Sequence, residues 1–446
     1  MTHIGTGCQR PRLTSRRARR IRAHALVAAA ALLAVSSAAA CSPAQAGAFQ
    51  NTNLTVAAFN PFTGNDGTFG PEMWAGCQAA ATAINAAGGV LGHKLDCMAV
   101  DTEGDPAFAV SAAAKMLATT PHLFGLLGPS SDEADATAPL INAAKIPMFA
   151  DTGEASFDHN KLPYFWRLVP ADDVRGYAMA LYAKQKGYLR AAAVFGNDVG
   201  GAQTGVPTLL KAYSEVGGQM VVNQTLTLGR TSYQSQVQAL IAAKPQVIFT
   251  ETSPQANAVY LAELEQLGHL IPVIGTDVTI QPSWFSAMAA SIGKPALTKY
   301  FFAESPYAPA AGAGWQVFNK DLLASPSVPK PAQWSTDSYT MSYYDGVLLM
   351  ALAANVTKST SPAVWNATIP SLTTASSGAE QVHSYAEGLA ALKAGKKIDY
   401  VGATGIIAFN QWHNSGGGFE IGAYDSQGNL NLVDQISAAQ LAPLIK

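Results

Sequence analysis

The first part of the chain alternates between short apolar runs and longer stretches in which apolar residues recur at helical spacing. Strands are predicted at 53–59, 95–100, 124–127 and 146–150. Helices are predicted at 71–86, 105–118 and 132–144. Because strands and helices follow one another in turn, the pattern indicates parallel sheets covered by helices, the α/β class.

The same alternation repeats after Pro170. Strands are predicted at 190–195, 219–226, 246–250 and 271–275. Helices are predicted at 174–186, 201–215, 233–243 and 255–267. Two sets of similar size, joined near 167–172, predict two α/β lobes, each with a doubly wound sheet.

The last part of the chain is less regular. Residues 306–331 are rich in Pro, Ala and Ser, which predicts a surface connection around a short helix at 315–323. Further helices are predicted at 338–354 and 378–394, and further strands at 402–409 and 419–425.

A candidate anion site follows the apolar run at 124–127. Gly128 and Pro129 end the predicted strand, and Ser130 and Ser131 open the next helix. Hydroxyls and free backbone N–H groups at a helix N-terminus can bind a carboxylate. Serines are also ordinary helix caps, so the pattern leaves both interpretations open.

Other polar residues also follow predicted strands, at the edge where open α/β sheets bind their ligands. They are Asp151, Thr152 and Glu154 in the first lobe, and Asn197, Asp198, Thr252, Ser253 and Asp277 in the second. Asp277 can hold an ammonium group through a charge-assisted hydrogen bond. With the two serines opposite and Phe69 as a candidate cover, this arrangement suits a zwitterion held between lobes. Each residue alone is more often a cap or turn former.

Charge and composition exclude other classes of function. The chain of 446 residues has a formal net charge of −2, but residues 1–40 hold seven arginines and no acid. From Cys41 onward 21 basic residues face 30 acidic ones, a net charge of −9 that disfavours a nucleic-acid partner. The sequence has no G-x-G-x-x-G, G-x-x-x-x-G-K, G-x-S-x-G or H-E-x-x-H motif, and its histidines lack metal-ligand spacing. We therefore expect no enzyme activity, no cofactor and no metal.

The N-terminus has the features of an export signal. A basic region ending near Arg22 precedes an uncharged, apolar stretch at 25–40. Ala38-Ala39-Ala40-Cys41 resembles a lipobox, in which Cys41 is lipidated, whereas Ala44-Gln45-Ala46 fits ordinary signal-peptidase cleavage. We favour the lipoprotein, with a signal peptide at 1–40 and a lipidated tether at 41–52, facing the extracytoplasmic side of the cell membrane.

Two cysteines are left in the exported part of the chain. Cys77 and Cys97 are expected to form a disulfide because the compartment is oxidising, although two buried free thiols are the alternative.

Eight stretches resemble type I periplasmic solute-binding proteins of the branched-chain amino-acid transporter class. They follow one another in the order found in that family, over about 55–425. They are P-F-T-G (61–64), A-I-N-A-A-G-G-V-L-G (83–92), D-T-E-G-D-P (101–106), L-L-G-P-S-S (126–131), W-R-L-V-P-A-D-D (166–173), A-V-F-G-N-D-V-G-G (193–201), V-I-G-T-D (273–277) and Y-Y-D-G-V-L-L-M-A (343–351).

The resemblance implies two Rossmann-like lobes that are joined by three chain crossings and close over a ligand by hinge motion. Lobe 1 would comprise 53–168 and 308–408, and lobe 2 would comprise 169–307 and 409–446. The resemblance also implies that Ser130 or Ser131 and Thr152 contact the carboxylate of the ligand, and that Asp277 contacts its ammonium group. Glu154 stands at a contact position where the family usually has a small hydroxyl residue, and a carboxylate there would repel an acidic solute or favour a basic one.

Three functions follow as hypotheses. The first is the solute-binding component of an ABC importer, which binds an amino acid or related compound and delivers it to a membrane permease. The second is a receptor on the same fold that senses a ligand, and relatives of the fold also bind amides, urea or organic acids. The third, an extracytoplasmic hydrolase, is disfavoured because its motifs are absent.

Overall fold

The computed structural model of the chain describes residues 50–64, 67–197, 202–307, 309–374, 376, 378–441 and 443–444. The predicted signal peptide, the lipidation of Cys41 and the candidate ligand residue Asp198 lie outside these ranges.

The first sheet consists of five parallel strands. They are β1 (Leu54–Asn60), β2 (Leu95–Asp101), β3 (Leu123–Leu127), β4 (Met148–Ala150) and β5 (Phe165–Arg167), in the spatial order β2-β1-β3-β4-β5. The helices between them are α1 (Phe69–Ala86), α2 (Pro106–Thr119) and α3 (Ser131–Ala143), with a 3-10 turn at Ala155–Phe157. Local signals explain where α2 begins, because Asp105 accepts a hydrogen bond from the Phe108 N–H at 2.7 Å and Pro106 opens the helix.

A second set of strands and helices follows. Its strands are β6 (Arg190–Gly196), β7 (Gln219–Leu226), β8 (Val247–Glu251), β9 (Val273–Gly275) and β10 (Phe301–Pro306). Its helices are α4 (Asp172–Gln185), α5 (Val206–Glu215), α6 (Gln234–Ala243), α7 (Pro254–Gln266), α8 (Pro282–Ser291) and α9 (Lys294–Tyr300), with a 3-10 turn at Asp277–Ile280.

The last part of the chain contributes helices and strands to both lobes. Its helices are α10 (Ala313–Leu323), α11 (Ser338–Thr357), α12 (Pro362–Trp365), α13 (Ile369–Leu372), α14 (Tyr385–Lys393) and α15 (Ala438–Leu441), with 3-10 turns at Pro331–Trp334 and Asn366–Thr368. Its strands are β11 (Glu380–Val382), β12 (Ile398–Gly402), β13 (Gly405–Ile406), β14 (Phe419–Tyr424) and β15 (Leu430–Ile436). The strands β11, β12 and β13 form a small separate sheet.

The strands β14 and β15 complete the second sheet, which has the order β15-β14-β10-β9-β8-β6-β7. The strands β6, β7, β8, β9 and β10 run parallel to one another. Strand β14 runs antiparallel to β10, and β15 runs antiparallel to β14. The predicted α/β class with two doubly wound lobes is confirmed, since apolar cores cover both faces of each of these sheets.

Helix α11 is the central helix of the first lobe's larger core. Every residue from Ser338 to Ala354 is buried, so this helix is apolar on nearly all sides and packs against α1. The buried residues of the core around α11 come from the chain up to Val169 and then from Phe318 to Ile407. One core of the second lobe is formed by residues between Tyr177 and Phe302 and by residues from Phe419 onward. The chain therefore passes between the lobes three times, near 170, between 302 and 318, and between 407 and 419.

The expected disulfide is present. Cys77 on α1 and Cys97 on β2 are bonded, with their Cα atoms 6.2 Å apart. Of the helices in the described ranges, none is long and apolar enough to cross a membrane.

Several elements were not predicted from the sequence, among them β5, α8, α9 and β15, and two predicted segments have a different structure. The stretch 378–394 is a strand followed by a helix, because Ser384 caps α14 by accepting from the Glu387 N–H at 3.1 Å. The strand predicted at 402–409 begins earlier, as β12, and turns back as β13. Strand β10 was not predicted, since Glu304 interrupts its apolar run.

Candidate functional site

A cleft lies between the carboxyl ends of the strands in the two large sheets. Its walls come from the turns after β1, β3 and β4 on one side, and from β8, β10, the turn after β9 and helix α4 on the other. The cavity between these walls has a volume of about 70 Å³, which is enough for several water molecules. The cleft therefore lies where open α/β sheets bind their ligands.

Acidic groups dominate the lining. Six carboxyl groups and one guanidinium group line the cleft, beside apolar residues that include three aromatic rings. The carboxyl groups belong to Asp132, Asp151, Asp172, Glu251, Asp277 and Glu304; the guanidinium to Arg175; and the rings to Phe69, Tyr339 and Phe419.

The wall from the first lobe is the N-terminus of α3. Ser130 is its N-cap, and both the N–H and the hydroxyl of Ser130 donate to Oε1 of Glu133, at 3.4 and 3.0 Å. The Ser131 hydroxyl donates to Oγ1 of Thr152 at 3.3 Å, and Thr152 also accepts from the Glu154 N–H at 3.3 Å. The serines therefore cap and brace the helix while they line the cleft.

Burial changes the proton affinity of two carboxyl groups behind this wall. Desolvation raises the pKa of Glu133 to about 8, although its hydrogen bonds with Thr102 and Ser130 act in the opposite direction. Desolvation, together with the neighbouring carboxylates of Asp135 and Asp172, raises the pKa of Glu154 to about 7.

The wall from the second lobe centres on Arg175. Its guanidinium nitrogens lie 3.4 Å from Asp172 Oδ1, 3.1 Å from Glu251 Oε2 and 3.4 Å from Asp277 Oδ1. The Arg175 side chain is only 12% exposed, so these pairs are weakly screened. One cation is thus shared among three carboxylates on three different elements, α4, β8 and the turn after β9.

Tyrosines from α11 hold two of the cleft's carboxylates. The Tyr339 hydroxyl donates to Oδ2 of Asp277, and its ring meets the edge of Phe69 at a centroid distance of 5.6 Å. One turn further along the helix, the Tyr343 hydroxyl donates to Oδ1 of Asp151 at 2.9 Å. Both carboxylates are therefore fixed in orientation before any ligand arrives, and an ionised carboxylate has capacity for further donors.

The structure brings four of the predicted ligand residues together. Ser130, Ser131, Asp277 and Phe69 all line the cleft. Thr152 is fully buried directly behind Ser131, where it accepts the serine's hydrogen bond.

Two other predicted ligand residues lie outside the described lining. Ser253 caps α7 by accepting from the Ala256 N–H at 3.4 Å, and the backbone carbonyl of Glu154 accepts from Arg167 at 3.2 Å.

Sequence reasoning predicted Asp277 but missed the charged residues around it in the second lobe, which are Asp172, Arg175, Glu251 and Glu304. Asp172 and Arg175 are one helical turn apart at the start of α4, and charged residues are sparse in this chain, at 13%. Glu304 stands alone inside the apolar run F-F-A-E-S-P. An isolated carboxylate within such a run could have indicated a functional residue, because charged side chains are almost never fully buried without a partner.

The described part of the chain contains no group of three His, Cys, Asp or Glu side chains arranged to hold a metal ion. The described lining of the cleft offers carboxylates, hydroxyls, helix N–H groups, aromatic faces and one guanidinium.

Comparison with known proteins defines the class. The sequence model of a periplasmic binding protein family matches residues 53–387, most of the chain, and the chain belongs to this family. It is a family of solute-binding proteins and not a class of enzymes. The resemblance seen in the sequence is confirmed.

Individual relatives agree on the fold and differ in ligand. The chain is 24% identical over 301 residues to the Leu/Ile/Val-binding protein BraC3 of Rhizobium johnstonii, covering 67% of this chain and 77% of the relative. The branched-chain amino acid transporter substrate binding protein LivJ of Streptococcus pneumoniae, solved in complex with isoleucine, has a TM-score of 0.69 at 16% identity, covering 86% of this chain and 99% of that one. A solute binding protein of an R. palustris ABC transporter, in complex with benzoate, has a TM-score of 0.66 at 16% identity, covering 87% and 96%.

Proposed function

We propose that this protein is the extracytoplasmic solute-binding component of an ABC importer. It captures a small polar solute, an amino acid or a related compound, between its two lobes and delivers it to a membrane permease. The observation that carries this proposal is the cleft itself, which has a helix N-terminus on one wall and carboxylates on the other. The relatives named as amino-acid binders and as parts of ABC transporters support the same role.

The proposed mode of binding uses opposite charges on opposite walls. The α-carboxylate of the solute accepts hydrogen bonds at the N-terminus of α3, from Ser130 or Ser131 and the backbone N–H groups. Its ammonium group donates to Asp277, which Tyr339 and Arg175 already orient. Phe69 covers the bound solute, and Thr152 positions Ser131 from behind.

Capture requires that the lobes move. We infer lobes that comprise 53–168 with 308–408 and 169–307 with 409–446. The three chain passages between the cores supply the hinge, and a solute that contacts both walls stabilises the closed form. A closed, solute-bound form is what a permease would recognise.

We further infer that the protein is held at the outer face of the cell membrane by lipid on Cys41. The lipobox-like Ala38-Ala39-Ala40-Cys41 and the Ser- and Pro-containing residues after it support this attachment. Mass spectrometry of the protein from its native membrane tests it: a diacylated Cys41 at the N-terminus supports anchoring, whereas a free N-terminus after Ala46 contradicts it.

A thermal-shift screen of the purified protein against amino acids, amides, ureas and organic acids tests the binding role. A ligand at 100 times its dissociation constant adds about 2.7 kcal/mol of stability, which raises the melting midpoint measurably. We expect a hit among the amino acids, which Asp277→Asn abolishes and Asp434→Asn, an acid outside the cleft lining, preserves. No shift with any compound would contradict the proposed role.

A further inference from the structure

Glu304 is a buried carboxyl group that the interactions described so far do not use. It lies in the middle of β10, on the face of the strand that also carries Phe302, and Phe302 packs against Tyr182 of helix α4. Its exposed fraction is 0%, yet it lines the cleft.

Neither carboxylate oxygen of Glu304 has a hydrogen-bond partner among the described residues. Buried carboxyl groups are almost always paired, because leaving water without a partner is unfavourable. A group that breaks this rule while facing a ligand cleft is explained when the ligand supplies the partner.

The nearest cation does not fill this role. Arg175 directs its guanidinium toward Asp172, Glu251 and Asp277, and forms no ion pair with Glu304 within 4.0 Å. Desolvation raises the pKa of Glu304 well above its usual range, and the nearby Arg175 only partly offsets this effect. Burial therefore makes the charged form of Glu304 unfavourable, and a further positive charge close to it would stabilise that form.

We propose that Glu304 receives a positively charged nitrogen group of the solute, so that the cleft selects small solutes with two cationic nitrogens, the basic amino acids and their relatives. This inference rests on the proposed function and names the substrate class of the same site. One ammonium pairs with Asp277, and the second cationic group pairs with Glu304.

Two features of the lining agree with this class. With six carboxyl groups and one guanidinium, the cleft favours a solute with net positive charge and disfavours an acid such as benzoate. The rings of Phe69, Tyr339 and Phe419 offer aromatic faces that attract cations.

Calorimetric titration with two pairs of similar shape tests the proposal. Arginine is compared with citrulline, in which a urea oxygen replaces one guanidinium nitrogen, and lysine with norleucine, which lacks the side-chain ammonium group. We expect the wild-type protein to bind each cationic member at least 10-fold more tightly, and Glu304→Gln to reduce that ratio below 3-fold. The control is Glu420→Gln, since Glu420 pairs with Ser305 across β10 and β14 and so lies on the opposite face of the sheet.

Each outcome decides between the two claims. A wild-type ratio near one, or a ratio that Glu304→Gln leaves intact, overturns the role of Glu304 and leaves solute binding standing. Tight binding of leucine without binding of arginine or lysine also overturns the role of Glu304 and leaves solute binding standing. Failure of all amino acids, amides and organic acids to bind overturns both the inference and the proposed function. Should Glu304→Gln not fold, the wild-type ratio still decides the substrate class.

Discussion

Removing the guanidinium of Arg175 should destabilise the protein in a way that depends on pH. In Arg175→Met the side chain keeps similar length, but Asp172, Glu251 and Asp277 lose the cation that they share at 3.1–3.4 Å. All three carboxyl groups are buried, so water replaces that cation poorly.

The magnitude follows from burial and charge. Removing one partner from a buried ion pair typically costs 3–5 kcal/mol of unfolding free energy, about what we expect at pH 7. Arg175 also lowers the pKa of Asp172 and of Glu304, both of which burial raises. Without Arg175 the pKa of each of these groups in the folded chain rises further above its value in the unfolded chain. Each such group gives stability that is present at low pH and lost as pH rises, by up to about 1.4 kcal/mol per pH unit.

Urea unfolding of wild type and Arg175→Met at pH 5 and pH 7 measures both effects. We expect the difference in unfolding free energy to be about 3–5 kcal/mol at pH 7 and at least about 1 kcal/mol smaller at pH 5. The matched control is Arg230→Met, at an exposed arginine, which should change stability by less than about 0.5 kcal/mol at either pH. A loss below about 1 kcal/mol at pH 7, or an equal loss at both pH values, would refute the electrostatic reasoning.

Three further predictions test other parts of the molecule. Replacing Cys77 and Cys97 by Ala opens a loop with a sequence separation of 20 residues and should lower the unfolding free energy by about 3 kcal/mol, measured by urea denaturation; no change would refute it. Because the pKa of Glu133 is raised to about 8 from 4.5, Glu133→Gln should flatten the fall in stability between pH 5 and pH 8; an unchanged pH profile of the melting midpoint would contradict this. An added methyl at Gly153 would sit 2.1 Å from a carboxylate oxygen at the start of α4, so Gly153→Ala should lower stability by about 1–3 kcal/mol and weaken solute binding, whereas Gly416→Ala, with open space around it, should do neither.

Local signals in the sequence were sufficient for much of the fold. The strand at 123–127 and helix α3 were predicted within a residue or two, because Gly128 and Pro129 end one element and Ser130 caps the next. The same residues predicted one wall of the cleft, since a helix N-terminus after a strand is a local feature.

The other wall depends on contacts that no local pattern contains. Arg175 and Asp277 are 102 residues apart in sequence and meet only because the turn after β9 lies beside α4 in the folded lobe. Glu304 also interrupts the apolar pattern of its own strand, β10. The residue that the inferred specificity depends on is therefore the reason why this strand was not predicted. Ser253 shows the converse, because a polar residue after a strand proved to cap a helix.

Small-angle X-ray scattering of the purified protein, with and without the solute that the screen identifies, tests the central claim most directly. Capture between two hinged lobes predicts a smaller radius of gyration at saturating solute, with no change when a non-binding amino acid is added. The same titration with Asp277→Asn should leave the scattering unchanged. A solute that binds with one site per chain and yet leaves the wild-type radius of gyration unaltered would contradict closure of the lobes around it.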